Sequence, residues 1–456
     1  MDYDAIIIGT GQAGPALARR LVAAGWKVAI IERKLFGGTC VNTGCTPTKT
    51  LVASAYAAHL ARRAADYGVT VGGTVKVDMK TVKARADAVV GQSRNGVERS
   101  LRTLKGCTVY QGHARFVGQK QVQVGEDLLE ADNIFINVGG RALVPPIPGL
   151  DTVPYLTNSS MMEVDFLPRH LIVLGGSYVG LEFAQIYRRF GSEVTVVERA
   201  QRLIAREDED VSRAVANILT DEGIDIRVDC KVAGVAMHGS NIALKVETEA
   251  SREIVGTHLL LAIGRRPNTD DLGFDKAGVV CDERGYIQVD ERLRTSVPGI
   301  WALGDCNGRG AFTHTSWNDF EIVAADILDN DPRRVTDRIE AYALYTDPPL
   351  GRAGMTEAQV RNSGRPALIA TMAMEDVSRA FERGETKGFM KILVDKETKQ
   401  ILGASLLGLA GDEVIHCILD VMYAKAPCTV MRRAMHIHPT VSELIPTMLG
   451  DLVPLQ

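Results

Sequence analysis

The chain has 456 residues, 46% apolar and 24% charged, with 52 basic and 56 acidic side chains and a net charge of −4. That length suggests roughly three domains, and the charge balance excludes a nucleic-acid patch or a basic tail. No apolar run approaches the roughly 18 residues of a membrane span, no signal-peptide layout precedes the first strand, and eight irregularly spaced cysteines do not make a secreted disulfide framework, so a cytoplasmic protein is expected.

Residues 4–8 form an apolar strand, followed by Gly9-Thr-Gly11-Gln-Ala-Gly14, a helix pattern from Pro15 to Ala24 and a closing Gly25. A second strand, Lys27 to Ile31, ends at Glu32. This is a complete βαβ dinucleotide fingerprint. Glycines permit the tight turn and close approach to a pyrophosphate, the helix N-terminus faces the phosphates, and the acid holds ribose hydroxyls.

Next comes Gly37-Gly-Thr-Cys-Val-Asn-Thr-Gly-Cys-Thr-Pro-Thr-Lys49, with Cys40 and Cys45 five apart among small residues. A cysteine pair beside a dinucleotide unit can accept two electrons as a dithiol and pass them on by thiolate attack. Spacing alone leaves two buried thiols as an alternative. A metal site lacks a second pair at ligand spacing, and no metal is expected.

Residues 52–66 and about 78–104 read as helices, and Lys105 to Asp132 as short strands. Ile134 to Gly140 leads into the proline-rich Pro145–Pro148, a crossover between domains. The dinucleotide unit then returns: a strand from Leu171 to Leu174, the turn Gly175-Gly-Ser-Tyr-Val-Gly180, a helix to about Phe190, Gly191, and the strand Glu193 to Val197 ending at Glu198. Gly9/Gly175, Gly14/Gly180, Gly25/Gly191 and Glu32/Glu198 are each separated by 166 positions. Two dinucleotide sites of one design follow. Ser177 replaces the second glycine, which suggests looser approach to the phosphates there. Leu260 to Asn268 is a second crossover, and from about 340 onward the pattern is α+β, ending in His436-Ile-His-Pro-Thr-Val-Ser-Glu443.

Together these stretches resemble the FAD-dependent pyridine nucleotide–disulfide oxidoreductases, the group of glutathione reductase, dihydrolipoyl dehydrogenase and mercuric reductase, over essentially the whole chain. G-T-G-Q-A-G resembles the FAD motif, G-G-T-C-V-N-T-G-C-T-P-T-K the redox-disulfide motif, and G-G-S-Y-V-G-L-E the nicotinamide motif. P-G-I-W-A-L-G-D is similar to the second FAD motif and H-P-T-V-S-E to the C-terminal base motif, while F-T-H-T-S-W-N-D is most like the mercuric-reductase-like branch.

The resemblance implies an α/β fold with two Rossmann-like domains, for FAD and NAD(P), and a C-terminal α+β dimerisation domain. Its divisions would be 1–149 with 268–335 for FAD, 150–267 for NAD(P) and 336–456 for the interface. It implies that Cys40 attacks substrate, Cys45 lies against the flavin as a charge-transfer thiolate, and Lys49 sits near the flavin and pairs with Glu182. FAD would be held by Gly9, Gly11, Gly14, Glu32, Gly38, Thr39 and Asp305. The nicotinamide nucleotide would be held by Gly175, Ser177, Tyr178, Gly180, Glu198 and Gly264, with Tyr178 as gate. In a homodimer, His438, oriented by Glu443, would reach the partner's disulfide. Histidine has the pKa for that proton transfer, and a carboxylate fixes its tautomer.

The implied function is electron transfer from NAD(P)H through FAD to a Cys40–Cys45 disulfide and on to a small disulfide. Glu198 favours NADH; Arg199 and Arg202 leave NADPH open. The alternatives are a dihydrolipoyl dehydrogenase of a lipoamide complex, a metal-ion reductase and an NADH oxidase or peroxidase. No cysteine follows Cys428, unlike the C-terminal pair of mercuric reductases, and the oxidase and peroxidase enzymes use one cysteine where two stand here.

Overall fold

The computed structural model describes residues 2–247 and 253–455. β1 (Asp2–Ile8), β2 (Val28–Glu32) and β3 (Cys107–Gln111) run parallel. The apolar runs Ala5–Ile8 and Val28–Ile31 suit strands covered on both faces, whereas β3 at the sheet edge is part-exposed. The antiparallel run β4 (Ala114–Gly118), β5 (Gln121–Val124) and β6 (Asp127–Ile136) completes the order β3–β2–β1–β6–β5–β4, and Ile300–Ala302 adds to β6 in parallel. The chain segment Ile300–Ala302 thus returns to the first sheet from the far side of the second unit.

Helix α1 (Ala13–Ala23) joins β1 to β2. α2 is Gly38–Asn42, α3 Cys45–Arg62 and α4 Met79–Arg102. The sequence placed the start of α3 at residue 52, and it begins seven positions earlier. Pro47 disguises this start: in a first turn its missing N–H costs nothing, because that N–H has no intrahelical partner anyway.

The crossover strand β7 (Gly140–Ala142) leads through β8 (Leu156–Thr157) into the second parallel sheet, built on β9 (His170–Leu174) and β10 (Glu193–Val197) with α5 (Tyr178–Phe190) between them. The repeat extends to hydrogen bonds. Gly9 N donates to Ile31 O at 2.8 Å and Gly175 N to Val197 O at 2.9 Å, both partners shifted by 166. α6 (Glu209–Asp221) and β11 (Asp225–Arg227) follow, then an antiparallel sheet of β12 (Lys231–His238), β13 (Asn241–Glu247) and β14 (Glu253–Gly256). β15 (His258–Leu261) closes the parallel sheet in the order β11–β10–β9–β15–β8, and β16 (Arg265–Pro267) pairs β7, joining the two crossovers.

Ser177 keeps the turn. Its φ of −112° and ψ of −176° are extended, a region open to any side chain. Its neighbour Gly176 is crowded, since a Cβ there would fall 2.6 Å from Leu203 Cδ2.

From residue 341 the chain forms a six-stranded antiparallel sheet with its own core around Met390, Ile392 and Leu406. No described helix is long and apolar enough to cross a membrane.

Candidate active site

Cys40 lies within α2, and Cys45 is the first residue of α3. The turn into α2 needs glycine: Gly37 has φ 94°, Gly38 has φ 62°, and a Cβ on Gly38 would lie 2.9 Å from Gly11 Cα. The cysteine segment therefore packs directly on the first dinucleotide loop. Thr10 Oγ1 fastens the two, donating to Glu32 and accepting from Gly37 N at 3.2 Å.

Both thiols are free and hydrogen-bonded to each other. Cys45 is exposed and Cys40 half-buried. The proton of the shared bond resides on Cys40, whose pKa is pushed up. That bond lowers Cys45 to about 6 against the opposing effect of burial, helped by the Thr313 hydroxyl at 3.2 Å and the Lys49 charge. A helix N-terminus favours a thiolate in the same sense. Burial pushes the other six, Cys107, Cys230, Cys281, Cys306, Cys417 and Cys428, the opposite way, Cys306 to about 12. Cys45 alone of the eight is poised as a thiolate near neutral pH.

One turn along α3, Lys49 Nζ bonds both oxygens of Glu182 on α5, at 2.9 and 2.8 Å. Glu182 is 7% exposed and also accepts from Tyr345 N at 3.1 Å, while Lys49 Nζ sits 4.3 Å from the Tyr345 ring centre. Three parts of the chain meet at this ion pair.

The two strand-end acids do one job twice. Glu32 accepts from Thr10 N at 3.2 Å and Lys34 N at 2.8 Å; Glu198 accepts from Gly176 N at 2.6 Å and Ala200 N at 2.7 Å. Each carboxylate braces the glycine turn against the residue two past itself. Close backbone packing requires the loop glycines, since a Cβ on Gly14 or Gly180 would fall 2.3 or 2.1 Å from the carbonyl of Gly9 or Gly175.

Asp305 and Thr39 converge on Arg265, whose guanidinium lies 3.5 Å from each and donates to Gly140 O at 2.6 Å. Burial raises the Asp305 pKa and Arg265 opposes it. Beneath the first loop, the buried Asn137 Nδ2 has no partner among the described residues. A glycine-lined cradle, an orphan donor and an acid at its far end fit a dinucleotide such as FAD, which Gly9, Gly11, Gly14, Glu32, Gly38, Thr39 and Asp305 would hold.

The residues expected to hold the nicotinamide nucleotide gather at the C-terminal edge of the second sheet. Gly175 lies against Ala262, just after β15, and Gly264 O accepts from Leu143 N at 2.9 Å, tying the crossovers. Tyr178 opens α5. His438 stands apart: it is 73% exposed, and among the described residues its ring bonds only Glu443, at 3.0 Å.

Residues 3–319 match the pyridine nucleotide–disulphide oxidoreductase family and 341–449 its dimerisation domain. The chain belongs to the pyridine nucleotide–disulfide oxidoreductases. It is an FAD-dependent disulfide oxidoreductase that takes electrons from a pyridine nucleotide. It is 38% identical to the probable pyridine nucleotide-disulfide oxidoreductase RclA of Escherichia coli, over 99% of each chain. It is 34% identical to the mercuric reductase of Streptomyces lividans over 97% of this chain and 94% of that one. The solved Cu(II) complex of RclA, described as an HOCl-induced flavoprotein disulfide reductase, superposes with a TM-score of 0.90 at 36% identity, covering 98% and 99% of the two chains.

Sequence reasoning missed Thr313, Tyr345 and Arg265. Thr313 lies in the F-T-H-T-S-W-N-D segment singled out for resemblance, which was the available signal. Three carboxylates, Asp208, Asp210 and Glu357, lie within metal-ligand reach of one another, but Lys391 Nζ occupies their centre at 3.0, 2.8 and 2.7 Å.

Proposed function

We propose that Cys40 and Cys45 are the redox-active pair and that the chain reduces small disulfides with NADH. The observation that carries this reading is the polarised thiol pair at the start of α3, the only thiols in the chain with a proton placed for exchange. Bound FAD supplies the two-electron relay from pyridine nucleotide to the disulfide. Cys45, beside Thr313 and Lys49, holds the thiolate negative charge. Cys40 then attacks one sulfur of the substrate, forming a mixed disulfide and releasing the first thiol. Cys45 attacks the Cys40 sulfur, restoring the Cys40–Cys45 disulfide and expelling the second thiol. Two electrons leave the protein per turnover, and each departing thiolate takes a proton.

His438 of the partner subunit, oriented by its glutamate, is the proton carrier in a homodimer. Its exposure in its own chain supports this, as do Met435 at 99% and Ile437 at 80% exposure beside it, an apolar stretch suited to subunit contact. We take 1–149 with 268–335 as the FAD unit, 150–267 as the NAD(P) unit with Tyr178 as its gate, and 336–456 as the interface unit. The pairing of Ile300–Ala302 with β6 supports that division. A cytoplasmic setting is consistent with a disulfide that must be reduced to act.

Cu(II) is a second substrate reading, favoured by the copper complex of the RclA structure and by the exposed Cys45 thiolate, a soft ligand. The thiol–thiolate pair would reduce two Cu(II) to two Cu(I), forming the disulfide and releasing the one proton held by Cys40. The test is a turnover panel of lipoamide, glutathione disulfide, cupric ion, mercuric ion, quinone and oxygen, with thiols titrated before and after NADH. Two additional thiols and fastest turnover of a small disulfide are expected. An unchanged thiol count would refute the redox pair.

A further inference from the structure

Glu207 is 2% exposed, yet it is in no ion pair among the described residues. Its Oε1 accepts from the hydroxyls of Tyr178 at 3.2 Å and Tyr342 at 2.5 Å, and its Oε2 is buried without a partner. Tyr178 belongs to the nicotinamide unit, and Tyr342 lies in the strand Ala341–Leu344 of the C-terminal sheet.

The rings are ordered as well. Tyr342 stacks on Phe312 at 5.5 Å and 16°, and Phe312 on His314 at 5.3 Å and 10°. Tyr178 stands edge-on to Tyr342 at 5.4 Å and 70°, and to Phe312 at 6.4 Å and 77°. The Tyr178 ring is therefore gripped by two aromatic faces and, at its tip, by a carboxylate. The chain beside that carboxylate is anchored: the neighbouring Asp208 and Asp210 are bound to Lys391, itself 1% exposed in the C-terminal sheet.

We propose that Glu207 is a positioning residue that latches Tyr178 closed over the nicotinamide site from a post anchored in the C-terminal sheet. This rests on the reading of Tyr178 as the gate. Admitting the nicotinamide ring breaks the Tyr178–Glu207 bond, so the latch opposes nucleotide binding. One net hydrogen bond corresponds to about a 2- to 10-fold effect on an equilibrium.

The test titrates oxidised, FAD-loaded dimer with NAD⁺ and follows flavin fluorescence. Tyr178→Phe, which keeps the ring and loses the bond, and Glu207→Leu should each tighten NAD⁺ binding about 2- to 10-fold, and the double variant no more than either alone. Glu207→Gln, which keeps an acceptor, should bind like the parent. Merely structural damage weakens binding and does not tighten it. Unchanged or weaker binding by Tyr178→Phe, or additive effects in the double variant, would overturn the latch. Tyr178→Ala separates the two ideas. If it alters NAD⁺ affinity while Tyr178→Phe does not, the gate stands and the latch falls. If it alters nothing, the gate reading fails and the latch with it.

Discussion

Lys49 and Glu182, 133 positions apart, form a two-pronged ion pair at 2.9 and 2.8 Å within one helical turn of Cys45. The lysine charge lowers the pKa of both thiols, and the carboxylate fixes where that charge sits. Lys49→Met should raise the pH at which Cys45 becomes a thiolate above about 6. It should also leave Glu182 buried with only the Tyr345 amide, at a cost of about 1–3 kcal/mol. The checks are the pH midpoint of thiolate formation in reduced enzyme and a thermal midpoint lower by a few degrees.

Thr313→Val removes the hydroxyl 3.2 Å from Cys45 and leaves the shape of the site intact. The Cys45 thiolate should then form at higher pH, because a donor to the charged form is gone. Disulfide turnover near pH 6 should fall several-fold and recover as pH rises. A pH–rate profile with an unmoved acid limb would show that Thr313 has no hold on the thiolate.

NADH should be used with about tenfold higher kcat/KM than NADPH, equivalent to about 1.4 kcal/mol against the extra phosphate. If Glu198 holds the ribose hydroxyls as proposed, its carboxylate repels a 2′-phosphate. Arg202, which could have compensated, is committed to the carbonyls of Ala205 and Glu207 at 3.2 and 3.3 Å. Arg199 is exposed and remains the residue to remove if NADPH proves the better donor.

A shared active site predicts complementation. Cys40→Ser and His438→Ala homodimers should each lose most disulfide turnover, and mixed dimers should regain up to about half per intact site pair, because one site then keeps both residues. The measurement is turnover by a purified, tag-selected mixed dimer. No recovery would place the histidine's work in its own subunit or nowhere.

The constant 166-position offset was legible because each residue type answers a local demand. Glycine allows close packing, and glutamate takes the two backbone N–H groups beside it. The start of α3 was not legible, since Gly44 and Pro47 look like a loop until the first turn is seen to tolerate them. Lys49–Glu182 and His438–Glu443 came from family likeness rather than from spacing. Thr313–Cys45, 268 positions apart, and Tyr342–Glu207, 135 apart, exist only through tertiary packing, and no local pattern announces them. A serine fits the turn at 177 because its backbone angles there are extended, which residue type alone does not tell.

The central claim is that Cys45 is the thiolate held at the flavin and Cys40 the sulfur that meets substrate. Cys40→Ser and Cys45→Ser holoenzymes, scanned at long wavelength without reductant across pH 4–9, test it most directly. Cys40→Ser should show a charge-transfer band at neutral pH that fades as pH falls and the Cys45 thiolate takes up its proton. Its midpoint should lie below that of an ordinary thiol, because the Thr313 hydroxyl and the Lys49 charge that lower Cys45 remain. Cys45→Ser should show no band at any pH. A band in Cys45→Ser and none in Cys40→Ser would contradict the account and reverse the two roles.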